Sequence, residues 1–181
     1  MSTFRKIIDE VKEVLDGLDV SDYAAFVSLL RKETRFFFAG EGRSGLVAKM
    51  IAMRLMHSGK TVYVVGETIT PSIRAGDVLI VISGSGQTTL TKHIGQTAFS
   101  VGAHVVLVTA NKDAHTFDWC SAVLHIPAAT KRRLSYEPRT IQPLGNQFDQ
   151  SAHIILDAAI IDSLSSSQSN NAMQKRHANL E

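Results

Sequence analysis

The sequence has a single cysteine, Cys120, so no disulfide can form within the chain. That usage suits a reducing compartment. Charge of one sign is lacking too: 19 Lys and Arg stand against 17 Asp and Glu, a formal net charge of +2. So even a balance argues against nucleic acid or an anionic membrane as the main partner. No apolar run approaches the roughly 18 residues of a transmembrane helix. The opening stretch Met-Ser-Thr-Phe-Arg-Lys turns amphipathic at once and has no signal-peptide core. A cytoplasmic protein is the expectation. What is present is ordinary globular material. The chain has 181 residues, 44% of them apolar and 20% charged. That length fits one domain able to bury roughly 70% of its unfolded surface, so no disulfide or metal staple is needed.

Phe4, Ile8, Val11, Leu15 and Leu18 recur at helical spacing and predict an amphipathic helix over residues 3–17. A second helix follows, capped by Asp19 or Ser21 and carrying Tyr23, Phe26, Val27 and Leu30. Residues 1–34 are therefore read as N-terminal helices that pack on the domain or on a partner subunit. From residue 35 the pattern changes. The runs 35–39, 61–65, 77–83, 104–109 and 121–126 are rich in β-branched residues and lack polar alternation, as strands buried on both faces do. Helical stretches lie between or after them at 44–58, 87–101 and 147–164, with a short turn near 113–119 and a loop over 66–76. This order predicts an α/β domain over 35–164: a parallel sheet with right-handed crossovers and helices on both faces. Residues 165–181 read as a linker and a C-terminal helical tail, with a Ser- and Asn-rich joint over 163–171.

In such a sheet, ligands sit beyond the carboxyl ends of the strands. Two segments there stand out. Gly40-Glu41-Gly42-Arg43-Ser44-Gly45 follows the first strand, and Ser83-Gly84-Ser85-Gly86-Gln87-Thr88-Thr89 follows the third. Each opens a helix, whose free N–H groups and positive dipole end attract an anion. Gly42, Arg43, Ser44, Ser83, Ser85, Gln87 and Thr88 are the candidate phosphate-binding residues. A capped helix start would also place Ser and Thr in the second loop. The first loop fits G-x-G-x-x-G as well, with Glu67 placed where a ribose-binding acid would sit, so a dinucleotide is an alternative. Neither loop has the Gly-Lys-Ser/Thr ending of a P-loop.

The two loops resemble those of the sugar isomerase (SIS) domain, a five-stranded parallel α/β fold of flavodoxin-like, three-layer type that binds phosphosugars. Further segments match more closely: Met53–His57, Val62–Thr68, Gln142-Pro143-Leu144-Gly145 and the closing Arg176-His177-Ala178-Asn179-Leu180-Glu181. With them the chain resembles the 6-phospho-3-hexuloisomerase family over nearly its whole length. That resemblance implies conversion of D-arabino-hex-3-ulose 6-phosphate to fructose 6-phosphate in formaldehyde fixation by the ribulose monophosphate route. It implies no cofactor, no metal, a small phosphosugar substrate and a homotetramer.

Moving a carbonyl between adjacent carbons needs a base, an oxyanion-stabilising donor and an enediol(ate) intermediate. By the resemblance, the base is a glutamate in a Phe-Glu-Gln triplet. Here the triplet is Phe148-Asp149-Gln150, so the carboxylate is one methylene shorter. Asp149 could instead merely complement the dipole of its helix. His57, Glu67, His177 and Glu181 are further candidate proton carriers, with the tail placed to reach a neighbouring subunit's site. Lys131, Arg132 and Arg133 form a basic run in the long segment 127–146, where a solvated face is the plainer expectation. Two other functions stay open. One is a non-catalytic phosphosugar-binding module, although residues 1–34, with five Lys and Arg against seven Asp and Glu, make a poor DNA-reading headpiece. The other is a five-carbon aldose or ketose phosphate isomerase.

Overall fold

Phe36, Phe37 and Phe38 in succession can all be buried only on a strand covered on both sides, because alternate side chains leave opposite faces. All three are within 1% of complete burial. Full burial of such a side chain contributes about 1.5–3 kcal/mol. The computed structural model describes residues 2–165 and 170–180. Its elements run α1 (Thr3–Asp16), α2 (Val20–Leu30), β1 (Arg35–Gly40), α3 (Gly42–His57), β2 (Thr61–Val64) and β3 (Val78–Ile82). They continue with α4 (Thr89–Ser100), β4 (His104–Thr109), a 3₁₀ turn at Ala114–Thr116, β5 (Ala122–His125), α5 (Asn146–Ser163) and α6 (Asn170–Gln174).

The sheet has five strands in the order β2-β1-β3-β4-β5, and every pairing is parallel. Phe36 and Phe38 face the layer formed by α2, α3 and α5, together with Ile80, Ile82, Val106 and Val108. Phe37, Leu79, Val81, Val105 and Leu107 face the opposite layer, where α4 and Trp119 cover them. The architecture is thus the three-layer sandwich expected from alternating strands and helices. No residue between Val65 and Asp77 is helical, so the short connection after β2 is a loop, as Pro71 and its brevity predict.

The seam of α1 divides in two. Val11 and Val14 are buried, and Leu15 and Leu18 pack on the core. Phe4 and Ile8 stay exposed at the free end of the helix. On α3, Leu46, Met50 and Met53 form a second exposed apolar stripe at helical spacing. Part of the expected joint before the tail, residues 166–169, lies outside the described residues. Among the described residues, no helix is long and apolar enough to cross a membrane.

Candidate active site

β1 lies where the strand order reverses, with β2 on one side and β3 on the other. Crevices at such reversals, beyond the strand ends, are where α/β sheets bind ligands. Gly40 at the end of β1 is in register with Ile82 at the end of β3, so the two glycine-serine loops leave the sheet side by side.

The first loop turns tightly into α3. Gly42 has φ +56°, a conformation that disfavours a side chain, and nothing lies within 4 Å of where its Cβ would be. Gly45 is needed for a different reason: its Cβ would lie 2.6 Å from the Gly40 carbonyl oxygen. The helix therefore packs directly against the strand end. That explains the G-x-G-x-x-G spacing as strand-turn-helix geometry, with no dinucleotide required.

The second loop is anchored from β4. The Thr109 hydroxyl donates to the Gly84 carbonyl at 3.1 Å, and the Asn111 side-chain amide donates to the Ser85 carbonyl at 3.1 Å. Thr88 stands at the N-cap of α4, yet its side chain makes no capping bond. Its Oγ1 lies 3.4 Å from Ser83 Oγ instead. The hydroxyls here are thus not consumed by helix capping, the plainer explanation for them. Ser85 Oγ accepts the Gln87 N–H at 3.2 Å.

Between the loops lies an open cavity of about 330 Å³. Of the expected phosphate-binding residues, Gly42, Arg43, Ser44, Ser83, Ser85 and Thr88 line it. Gln87 does not; its side chain is exposed outside the lining. The far wall comes from the segment after β5 and from the start of α5: Thr130, Lys131, Arg132, Leu144, Gly145, Phe148 and Asp149. Phe148 packs on Gly84, so the start of α5 is seated against the second loop.

The Asp149 side chain is only 8% exposed. Arg43 Nε donates to its Oδ2 at 2.9 Å, and the Ser44 hydroxyl donates to its Oδ1 at 3.1 Å. Asp149 also sits in the first turn of α5, where the helix dipole favours a negative charge. The dipole role foreseen as its plainer explanation therefore holds together with a place in the cavity wall. His153, four residues further along α5, makes no hydrogen bond or ion pair with Asp149 among the described residues.

The other proton-carrier candidates lie elsewhere. Glu67 pairs with Lys49 at 2.9 Å, both about half exposed, and does not reach the cavity. His57 ends α3 at the far pole of the sheet, since 16 residues of helix rise about 24 Å. There it meets His177: the rings stack with centroids 5.2 Å apart, and Arg176 donates to the His57 carbonyl at 3.3 Å. The structure thus brings two of the candidates together, but away from Asp149 within this chain. Glu181 lies outside the described residues. Among the described residues, no group of three or more His, Cys, Asp or Glu could hold a metal ion.

The His57–His177 contact carries a pH dependence. Burial, then His177, then Arg54 push the His57 pKa below its ordinary value. A lowered histidine pKa means the docked state favours neutral imidazole. The stabilisation is present above the ordinary histidine value and is lost as pH falls through the lowered one. Backbone amides of residues 170–177 should therefore exchange faster at pH 5 than at pH 8, after correction for intrinsic rates. An unchanged corrected rate would disprove the coupling.

The SIS domain family matches residues 29–137. The chain belongs to the SIS domain family. A 3-hexulose-6-phosphate isomerase of Mycobacterium gastri is 40% identical over 96% of this chain and 87% of that protein. One of Bacillus subtilis is 34% identical over 97% of this chain and 100% of that protein. Among solved structures, a Methanococcus jannaschii protein, from whose structure a function as 3-hexulose-6-phosphate isomerase was inferred, superposes with a TM-score of 0.79. It is 25% identical, and the match covers 100% of both chains. The SIS match ends before Leu144, Gly145, Phe148 and Asp149, so the part of the cavity wall that holds Asp149 lies beyond it.

A solvated face is the sequence expectation for Lys131 and Arg132. They line the cavity, while Arg133 turns back to donate to the Gln142 carbonyl. Only the basic run itself signalled this, because the path of the long segment is set by contacts distant in sequence.

Proposed function

We propose that this SIS protein is a phosphosugar isomerase that converts D-arabino-hex-3-ulose 6-phosphate to fructose 6-phosphate. The observation that carries the reading is Asp149: a nearly buried carboxylate facing the same cavity as two loops suited to an anion. The names borne by full-length relatives at 34–40% identity support the choice of substrate.

The phosphate is held remotely. The N–H groups at the start of α3 and the hydroxyls of Ser83, Ser85 and Thr88 surround it, with Lys131 and Arg132 supplying positive charge. Binding energy spent there positions the reacting carbons. The Asp149 carboxylate removes the proton from C2, and the electron pair forms a C2–C3 enediolate as the C3 carbonyl oxygen becomes anionic. That oxygen takes up a proton while the C2 hydroxyl gives one up. Asp149 then returns its proton to C3, leaving the carbonyl at C2. Arg43 and Ser44 orient the carboxylate throughout, and the Arg43 guanidinium stabilises charge on the enediolate. No net oxidation or reduction occurs.

A coupled assay for fructose 6-phosphate tests the reading directly. Turnover of the hexulose phosphate by purified protein, unaffected by chelator and without added nucleotide, is expected. A sugar phosphate that raises the melting temperature but is never turned over would identify a binding module instead. Preference for a five-carbon phosphate would move the substrate and keep the chemistry.

A further inference from the structure

The far wall of the cavity is tied to a residue 130 positions earlier in the chain. Glu10, on α1, accepts three hydrogen bonds from one short stretch. The Thr140 hydroxyl and the Gln142 side-chain amide donate to its Oε2, and the Ile141 N–H donates to its Oε1 at 2.8 Å. We infer that Glu10 is a positioning residue for the cavity, holding the segment 131–145 in the shape that presents Lys131 and Arg132 to a phosphorylated ligand. The inference rests on the phosphosugar reading of that cavity.

Three features argue for it. First, the bonds converge. Gln142, 2% exposed, gives its amide N–H to Glu10 and its carbonyl to the Arg133 guanidinium. Glu10 therefore reaches the residue next to Arg132 through a single intermediate. The backbone of α1 joins in: the Glu10 carbonyl accepts from Gln147 Nε2 at 3.4 Å, while Gln147 Oε1 accepts the Ala129 N–H at 2.7 Å. Both ends of the wall segment are thus fastened to the same turn of α1.

Second, the segment needs fastening. Arg133 has φ +50° and Leu144 has φ +53°, a left-handed conformation that non-glycine residues seldom adopt. Such residues persist where the surroundings over-determine them, and they cluster at binding sites. One follows the basic pair directly, and the other lines the cavity.

Third, Glu10 is suited to act as an anion. Burial pushes its carboxyl pKa up, but the bonds from Thr140, Ile141 and Gln142 and the charge of Arg133 outweigh this and hold it below its ordinary value. Without Glu10, the buried Gln142 would lose its remaining side-chain partner, because among the described residues its Oε1 has none. A buried amide left unpaired is costly, so the segment would move to recover a partner.

Asp149 is fixed separately, by Arg43, Ser44 and the core contact of Phe148. Loss of Glu10 should therefore act on binding more than on the proton transfer. In Glu10→Ala, KM for the hexulose phosphate and the dissociation constant for fructose 6-phosphate should both rise roughly tenfold, less than the ~10²-fold that a 1 Å misplacement can cost. The turnover number should change by less than about threefold, the pattern of lost uniform binding. Glu10→Gln, which keeps one acceptor, should fall between. Adding Glu10→Ala to Lys131→Ala/Arg132→Ala should raise KM no further, since the wall it positions is already gone.

Val11 and Val14 keep α1 seated in these variants, and the melting temperature checks it. An unchanged KM in Glu10→Ala, a fall in turnover number alone, or effects that multiply with those of the Lys131 and Arg132 substitutions would each overturn the inference. Wild-type protein that neither binds nor converts the sugar phosphates would instead overturn the functional reading beneath it.

Discussion

Asp149→Asn lowers the turnover number by about 10²–10⁴-fold, the range expected when a positioned general base is lost. The fold survives. The amide has nearly the volume of the carboxylate, and one partner it gives up, Arg43, is more than half exposed. An arginine so placed is solvated by water and pays little for losing its ion pair. Asp149→Ala should behave alike in turnover, and both variants should melt within a few degrees of the wild type. A measured turnover number within tenfold of wild type in either variant, with the fold intact, would remove Asp149 from the chemistry. Asp149→Glu separates reach from identity. The cavity in front of the side chain is open, so the longer carboxylate has room to extend. Activity within tenfold of wild type is expected. A fall to the level of the alanine variant would mean that the fixed bonds to Arg43 and Ser44 matter more than the presence of a base.

The sequence pattern carried some of this and not the rest, for physical reasons. Strands buried on both faces leave a dense apolar signature, and Phe36 to Phe38 or Val78 to Ile82 admit no other placement. The two loops are legible because a tight turn between a strand and a helix needs small residues at fixed offsets. Asp149 was placed at a helix start by local reasoning alone. By contrast, Lys131 and Arg132 lie in a segment with no periodicity. Its course depends on Glu10, Gln142 and Gln147 meeting across the whole chain, and no local rule registers such bonds. His57 falls near the end of the helical stretch expected over 44–58 and ends α3 in the structure. Its stacking on His177 depends on how the tail returns to α3, which composition does not encode. Glu67 shows the opposite error. Its spacing after the first loop matched a ribose-binding acid, yet Lys49, on the adjacent helix, neutralises it at the surface.

Gly45→Ala is the second substitution with a large expected effect, and its cause is steric. The new Cβ would lie 2.6 Å from the Gly40 carbonyl oxygen and 3.1 Å from the Gly40 carbonyl carbon. Neither neighbour is the end of a flexible side chain that could rotate away. Both belong to the backbone of β1, whose next residues inward are the fully packed Phe38 and Ala39. The strand cannot retreat without opening the core, so the N-terminus of α3 must lift. Overpacking of this kind costs typically about 1–3 kcal/mol. For a chain of this size that corresponds to a melting temperature lower by roughly 2–12 °C. The consequence for function exceeds the loss of stability. The N–H groups of Arg43 and Ser44 belong to the turn that lifts, and so do the two donors that hold Asp149. One methyl group would thus disturb the anion cradle and the carboxylate together, lowering kcat/KM by about 10²-fold or more. Gly42→Ala supplies the contrast. Its Cβ meets nothing, so only its φ of +56° is strained. A left-handed alanine costs on the order of 1 kcal/mol, and kcat/KM should fall less than in Gly45→Ala. Equal losses in the two variants would show that the turn's conformation, rather than the close approach of α3 to β1, governs the site.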